Sequence, residues 1–183
     1  MSKIVVPIAS GFEEIEAISI IDVCRRAGIE VIVAGVESWE VPGANKIEIK
    51  CDYLFEDIDF TDIDMIVLPG GWGGTNILAS NELVQNKLKE FKQNDKYIGA
   101  ICAAPFALHK AGVLNEKYTC YPSVEEQIRT NGYSDKNKVV LDGKVITSRG
   151  PGTAICFGLE IVKILEGKEI SESVKGGLLA DFC

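Results

Sequence analysis

The stretch KIVVPIASGFEEIEAISIIDVCRRAGIEVIVAGV, residues 3–36, decides the fold. Its first seven residues are short, apolar and β-branched, as in a buried strand. Residues 11–28 change to helical periodicity and stop at Gly28. Residues 29–36 return to a β-rich apolar run. Strand, helix, strand within this length predicts a parallel pair joined by a crossover helix, and so an α/β protein.

The pattern repeats outward. DMIVLPGGWGG (64–74) reads as a strand entering a glycine-rich turn, and 81–94 as an amphipathic helix. Residues 97–113 read as strand (97–101), turn and helix (103–111). Residues 138–153 hold two short strands about Asp142-Gly143, a hairpin signal. Residues 154–167 predict a helix, with further helix from Lys168; 46–58 predict short strands outside the main pattern. There is no repeat, low-complexity tract or linker, and 183 residues suit one domain, 1–183. Open parallel sheets bind ligands beyond the carboxyl ends of their strands. The turns at 69–74, 99–104 and 149–152 are therefore expected to converge.

Composition narrows the function. Apolar residues make up 46% and charged residues 25% of the chain, as in ordinary globular proteins. The net charge of −8 argues against bulk binding of nucleic acid. No apolar run reaches the ~18 residues of a membrane span, and MSKIVVPIAS reads as a first strand rather than a signal peptide. A cytoplasmic protein is expected. Its six cysteines, 24, 51, 102, 120, 156 and 183, then read as free thiols. Without a C-x-x-C pair, neither a thioredoxin-type couple nor a zinc ribbon is indicated, and no metal is expected.

The chemistry gathers at GAICAAP, 99–105. Cys102 falls at a strand-to-helix turn, where amides and the helix dipole would stabilise a thiolate. Ala100, Ala103 and Ala104 permit a tight turn of nucleophile-elbow type. A buried structural thiol fits the same local pattern equally well. At about 100° per residue, Glu13 and Glu16 share the arc of Ile20, Val23, Cys24 and Ala27, whereas Glu14 does not. A core-facing Glu16 would be protonated and could donate to the Cys102 sulfur. A first-turn glutamate that merely offsets the helix dipole fits as well. Gly70 and Gly71 could bring amides close to a ligand, or simply form a turn. His109, the only histidine, lies seven residues beyond Cys102, too far along the helix to serve as its base.

GFEEIEA, DVCRRAGIEVIVAG, VLPGG, AICAAP, TSRGPGT and the closing GKE together resemble the ThiJ/PfpI superfamily. Within it the chain is most similar to the Parkinson-disease-protein (DJ-one) branch and its bacterial chaperone-like and deglycase relatives. The resemblance runs in order along nearly the whole chain. It implies a flavodoxin-like, class I glutamine amidotransferase-like three-layer sandwich, a parallel sheet with helices on both faces, and a homodimer. It implies an oxidation-sensitive elbow cysteine at Cys102 and a protonated glutamate at Glu16. Gly70, Gly71 and Ala103 would line the pocket, approached by the SRGPG turn with Arg149 and Pro151. The implied activities are a cofactor-independent glyoxalase or deglycase, acting on methylglyoxal-type dicarbonyls or on glycated proteins and nucleotides. The alternative is a redox sensor or chaperone switched by a Cys102 sulfinate. Tyr121 stands where some members carry histidine. A phenol with a reference pKa of about 10 is a poor base, which counts against a peptidase.

Overall fold

The computed structural model describes residues 1–183. β1 (Lys3–Ile8), α1 (Glu14–Arg26) and β2 (Glu30–Gly35) form the predicted βαβ unit. There follow β3 (Glu40–Pro42), β4 (Glu48–Lys50), β5 (Tyr53–Leu54), β6 (Met65–Leu68), α2 (Trp72–Ser80), α3 (Glu82–Gln93) and β7 (Tyr97–Ile101). The chain continues through α4 (Pro105–Ala111), α5 (Glu125–Ile128), β8 (Val139–Asp142), β9 (Val145–Ser148), α6 (Ala154–Glu166) and α7 (Lys168–Leu178).

Seven strands form one sheet in the order β5-β2-β1-β6-β7-β9-β8. All neighbours are parallel except the β8–β9 hairpin, with Asp142 opposite Val145. Both faces are covered, so alternate strand residues feed two cores. Ile4, Val6, Met65, Val67 and Ile146 pack with α1 and α6. Val5, Ile66, Ile98 and Val145 pack with α3 and α4. This double burial explains why the strands read as continuous apolar runs. No helix is long and apolar enough to cross a membrane.

Three local readings change. The glycine-rich turn of 69–74 passes directly into α2, with Trp72, Gly73 and Gly74 already helical. Glycine's poor helix propensity is overridden by close packing. A Cβ on Gly73 would lie 3.0 Å from the Gly11 Cα, and one on Gly74 3.1 Å from the Ala9 carbonyl oxygen. Second, β5 joins the edge of the main sheet beside β2, while β4 pairs outside it with β3. The turn between β3 and β4 is held by Glu14, whose carboxylate accepts from the Asn45 amide at 2.6 Å and its side chain at 3.0 Å. Burial alone would raise the Glu14 pKa, but these and other backbone hydrogen bonds bring it below the ordinary value. Glu14 is therefore buried although it lies off the arc of the core residues.

Third, the cysteines are not all free. Cys156 and Cys183 are disulfide-bonded, with their Cα atoms 5.2 Å apart. Their separation of 27 residues carries no signal in the chain. They meet because α7 folds back along α6, returning Cys183 to the start of α6. Cys24, Cys51, Cys102 and Cys120 are free.

The chain passes from β1 to β2 on one side, then returns to β6 on the other. The order thus reverses at β1, leaving a crevice at the carboxyl ends of β1 and β6, where ligands bind in such sheets.

Candidate active site

Three strand ends meet at this crevice. Beyond β1, Glu13 caps α1, its carboxylate accepting from the Glu16 amide at 2.8 Å. That cap sets the first turn and directs Glu16 inward, where it has no exposed surface. Beyond β6, the Gly70 amide donates to Glu16 Oε2 at 2.8 Å. Beyond β7, Cys102 adopts φ +64°, a left-handed conformation rare for a residue with a side chain. Its amide donates to the Ser148 carbonyl at 3.0 Å, and its carbonyl accepts from the Tyr121 amide at 2.9 Å. Two other backbone segments therefore hold the strained elbow.

The glycines make the approach possible. A Cβ on Gly70 would lie 2.5 Å from Glu16 Oε2 and 2.6 Å from the Cys102 Cβ. The Gly70 amide is thus committed to the carboxyl, while the Gly71 and Ala103 amides point at the Cys102 sulfur. Only Gly71, of the two glycines expected to offer oxyanion donors, has its amide facing the sulfur.

Glu16 Oε1 is buried and has no hydrogen-bond partner other than the Cys102 sulfur that the carboxyl faces. An ionised carboxylate can accept from the Cys102 S–H, and a carboxyl O–H can donate to the sulfur, so either member of the pair can hold the proton. Burial raises the Glu16 pKa to about 7, against the opposing bonds from Cys102 and Gly70. Burial, then repulsion by the Glu16 carboxylate and the bond to it, also raises the Cys102 thiol. The Gly71 and Ala103 amides only partly offset this. The thiol is therefore not acidified by a helix start. α4 begins at Pro105, three residues on, and desolvation dominates. The two groups form one proton-sharing pair, whose titration steps belong to both.

This pair has a consequence for stability. A folded-state pKa near 7, above an unfolded value of about 4.3, contributes stability that is present below pH ~4. It is lost as pH rises through 7. Thermal midpoints measured from pH 5 to 8 should fall in wild type relative to Glu16→Gln, which cannot charge. Parallel midpoint–pH curves for the two proteins would refute the buried titration.

Tyr121, Arg149 and Pro151 line a cavity of about 230 Å³ whose walls include neither Cys102 nor Glu16. The Tyr121 ring packs on Gly150 and is half exposed. Cys120 is buried against Ala103, Tyr118 and Val124 and does not line that cavity. Residues 119–121 are not a strand; pairing there is one isolated bridge, Tyr118 with Tyr133. His109 is exposed in the last turn of α4. The capping carboxylate of Glu13 and the Ser148 carbonyl are the positioning groups that sequence reasoning passed over. Glu13 had a signal, an acceptor three residues before Glu16. The carbonyl had none. No cluster of three or more His, Cys, Asp or Glu side chains is placed to hold a metal ion.

The DJ-1/PfpI family matches residues 2–164. The chain belongs to that family. Among DJ-1 relatives, protein dj-1beta of Drosophila melanogaster is 44% identical over 186 residues, covering all of both chains. Its crystal structure superposes with a TM-score of 0.94 over 98% of each chain. A Caenorhabditis elegans protein named glutathione-independent glyoxalase DJR-1.2 is 39% identical over 164 residues, covering 88% of this chain and 87% of its own. The DJ-1 fold thus agrees with the flavodoxin-like sandwich expected from sequence.

Proposed function

We propose that the chain is a cysteine-dependent, cofactor-independent glyoxalase or deglycase for methylglyoxal-type dicarbonyls and their adducts. One observation carries the reading: the buried Glu16 carboxyl, its pKa raised to about 7, shares a hydrogen bond with the Cys102 sulfur. The name of the C. elegans relative points the same way. Glu16 serves as the base for which no histidine is available.

Cys102 sulfur attacks the aldehyde carbon while Glu16 accepts the thiol proton. Glu16 then returns it to the new alkoxide, completing the hemithioacetal. The Gly71 and Ala103 amides offset charge as it develops. The carboxylate removes the proton from the carbon bearing sulfur and delivers it to the neighbouring carbon through an enediol. The product is a hydroxyacyl thioester. Water cleaves it to a hydroxy acid and restores the thiol. Glycated amines or nucleotides would enter as aminocarbinols, with the amine leaving. The 230 Å³ cavity of Tyr121, Arg149 and Pro151 would receive the remainder of the substrate.

The test is lactate formation from methylglyoxal, wild type against Cys102→Ser, with intact-protein mass measured on the same samples. Turnover by reduced wild type and its loss in the serine variant are expected. Tyr121→His should raise turnover or shift its pH optimum, because imidazole titrates near 6.5. No lactate from wild type or Tyr121→His, with peroxide converting Cys102 cleanly to the sulfinate, would instead establish the sensor reading.

A further inference from the structure

We propose that the cleft beside the Cys156–Cys183 bridge is a thiol–disulfide exchange site for a small thiol that carries carboxylates. The bridge joins the first turn of α6 to the turn after α7 and borders a cavity of about 510 Å³. That volume lies within the ordinary range for small-ligand sites. None of the residues around Cys102 lines it.

The cleft has a charge opposite to that of the chain. Five lysines line it, Lys136, Lys138, Lys163, Lys168 and Lys175, against Glu160 and Glu172, although the chain as a whole carries −8. Two of the cations are engaged: Lys163 pairs with Glu160 at 2.8 Å, and Lys138 donates to the Phe182 carbonyl. The side chains of Lys136, Lys168 and Lys175 make no ion pair or hydrogen bond within the chain, although the Lys175 carbonyl accepts from the Ala180 amide. Free cations around a concave site attract anionic ligands. A disulfide at the same site adds a reactive group that only a thiol or another disulfide engages.

The two cysteines differ in exposure. Cys156 is 7% exposed, whereas Cys183 is an exposed residue. The incoming thiolate attacks Cys183, forming a new S–S bond as the Cys156–Cys183 bond breaks. Cys156 leaves as a thiolate, which the lysines stabilise before it is protonated. A second thiol then attacks the mixed disulfide. The small thiol is released as its own disulfide, two electrons richer protein remains as the Cys156 and Cys183 dithiol, and the small thiol is the species oxidised. In the reverse direction a small anionic disulfide rebuilds the bridge. Reduction frees residues 181–183 from their covalent tie to α6, while Ala180 stays buried in the core.

The probe is glutathione, compared with neutral 2-mercaptoethanol and cationic cysteamine. Full-length protein purified without reductant is used, and bridge opening is followed by peptide mass spectrometry after alkylation. Corrected for thiolate fraction, glutathione should react at least about tenfold faster than 2-mercaptoethanol, and cysteamine slowest. The glutathione adduct should appear on Cys183. Raising the salt concentration should shrink the advantage. Lys136 and Lys168 are exposed and Lys175 is half-buried; combined Lys136→Glu, Lys168→Glu and Lys175→Glu substitutions should reverse the order of the thiols. Equal corrected rates for the three thiols, or an order unchanged by the triple substitution, would overturn the site. So would free alkylation of both cysteines in the unreduced protein.

Discussion

Glu16→Gln is expected to fold and to lose dicarbonyl turnover by about 10²–10⁴-fold, the usual contribution of a positioned acid–base group. The amide keeps the size of the carboxyl. Its oxygen can still accept from Gly70, and its NH₂ can donate to sulfur, so the buried site stays satisfied. What it cannot do is accept and return a proton. The same change removes the carboxylate whose repulsion raises the Cys102 thiol. Cys102 should therefore alkylate at lower pH in the variant while turning over less substrate. Steady-state lactate formation and alkylation rate against pH, on one preparation, give both readouts. A variant retaining a tenth or more of wild-type turnover would remove Glu16 from the chemistry. A thiol that becomes less acidic would show that the carboxyl acts mainly as a donor to sulfur.

Gly71→Ala is expected to cost about 3–5 kcal/mol, combining backbone strain with overpacking. Gly71 has φ +86°, a conformation that side chains rarely adopt. Its added Cβ would lie 2.7 Å from the Glu13 nitrogen and 2.8 Å from the Phe12 carbonyl carbon. These are backbone atoms at the start of α1, so no side-chain rotation relieves the contact. Relaxation must push β6's turn away from α1 and move the Gly71 amide off the sulfur. Urea unfolding should show a lower midpoint with an unchanged slope, and the turnover of the folded fraction should fall as well. A midpoint within the error of wild type would mean that the 11–13 backbone yields easily. By contrast a Cβ on Gly152 meets nothing within 4 Å, so Gly152→Ala is the control and should leave the midpoint nearly unchanged.

The sequence determined the sheet and its helices because local pattern is enough for them. Residues 3–36 carry a strand, a capped amphipathic helix and a second strand, and their hydrophobic periods survive in the folded protein. Cys102 at an elbow and Glu16 on the inward arc were legible for the same reason, since a strand end and a helix face are local properties. What the tertiary structure decided was everything that depends on approach between distant segments. α2 starts among glycines because it runs against residues 9–12, a packing demand that helix propensity does not encode. Glu14 is buried because the turn between β3 and β4 closes over it. The direction of the Cys102 pKa followed desolvation and a neighbouring carboxylate rather than the helix dipole, and burial is known only once the chain is packed. The Cys156–Cys183 bridge follows from the return of α7 along α6. Periodicity tells which side of an element faces inward. Only the packed chain sets which atoms it meets there, at distances where desolvation and hydrogen bonding control the chemistry.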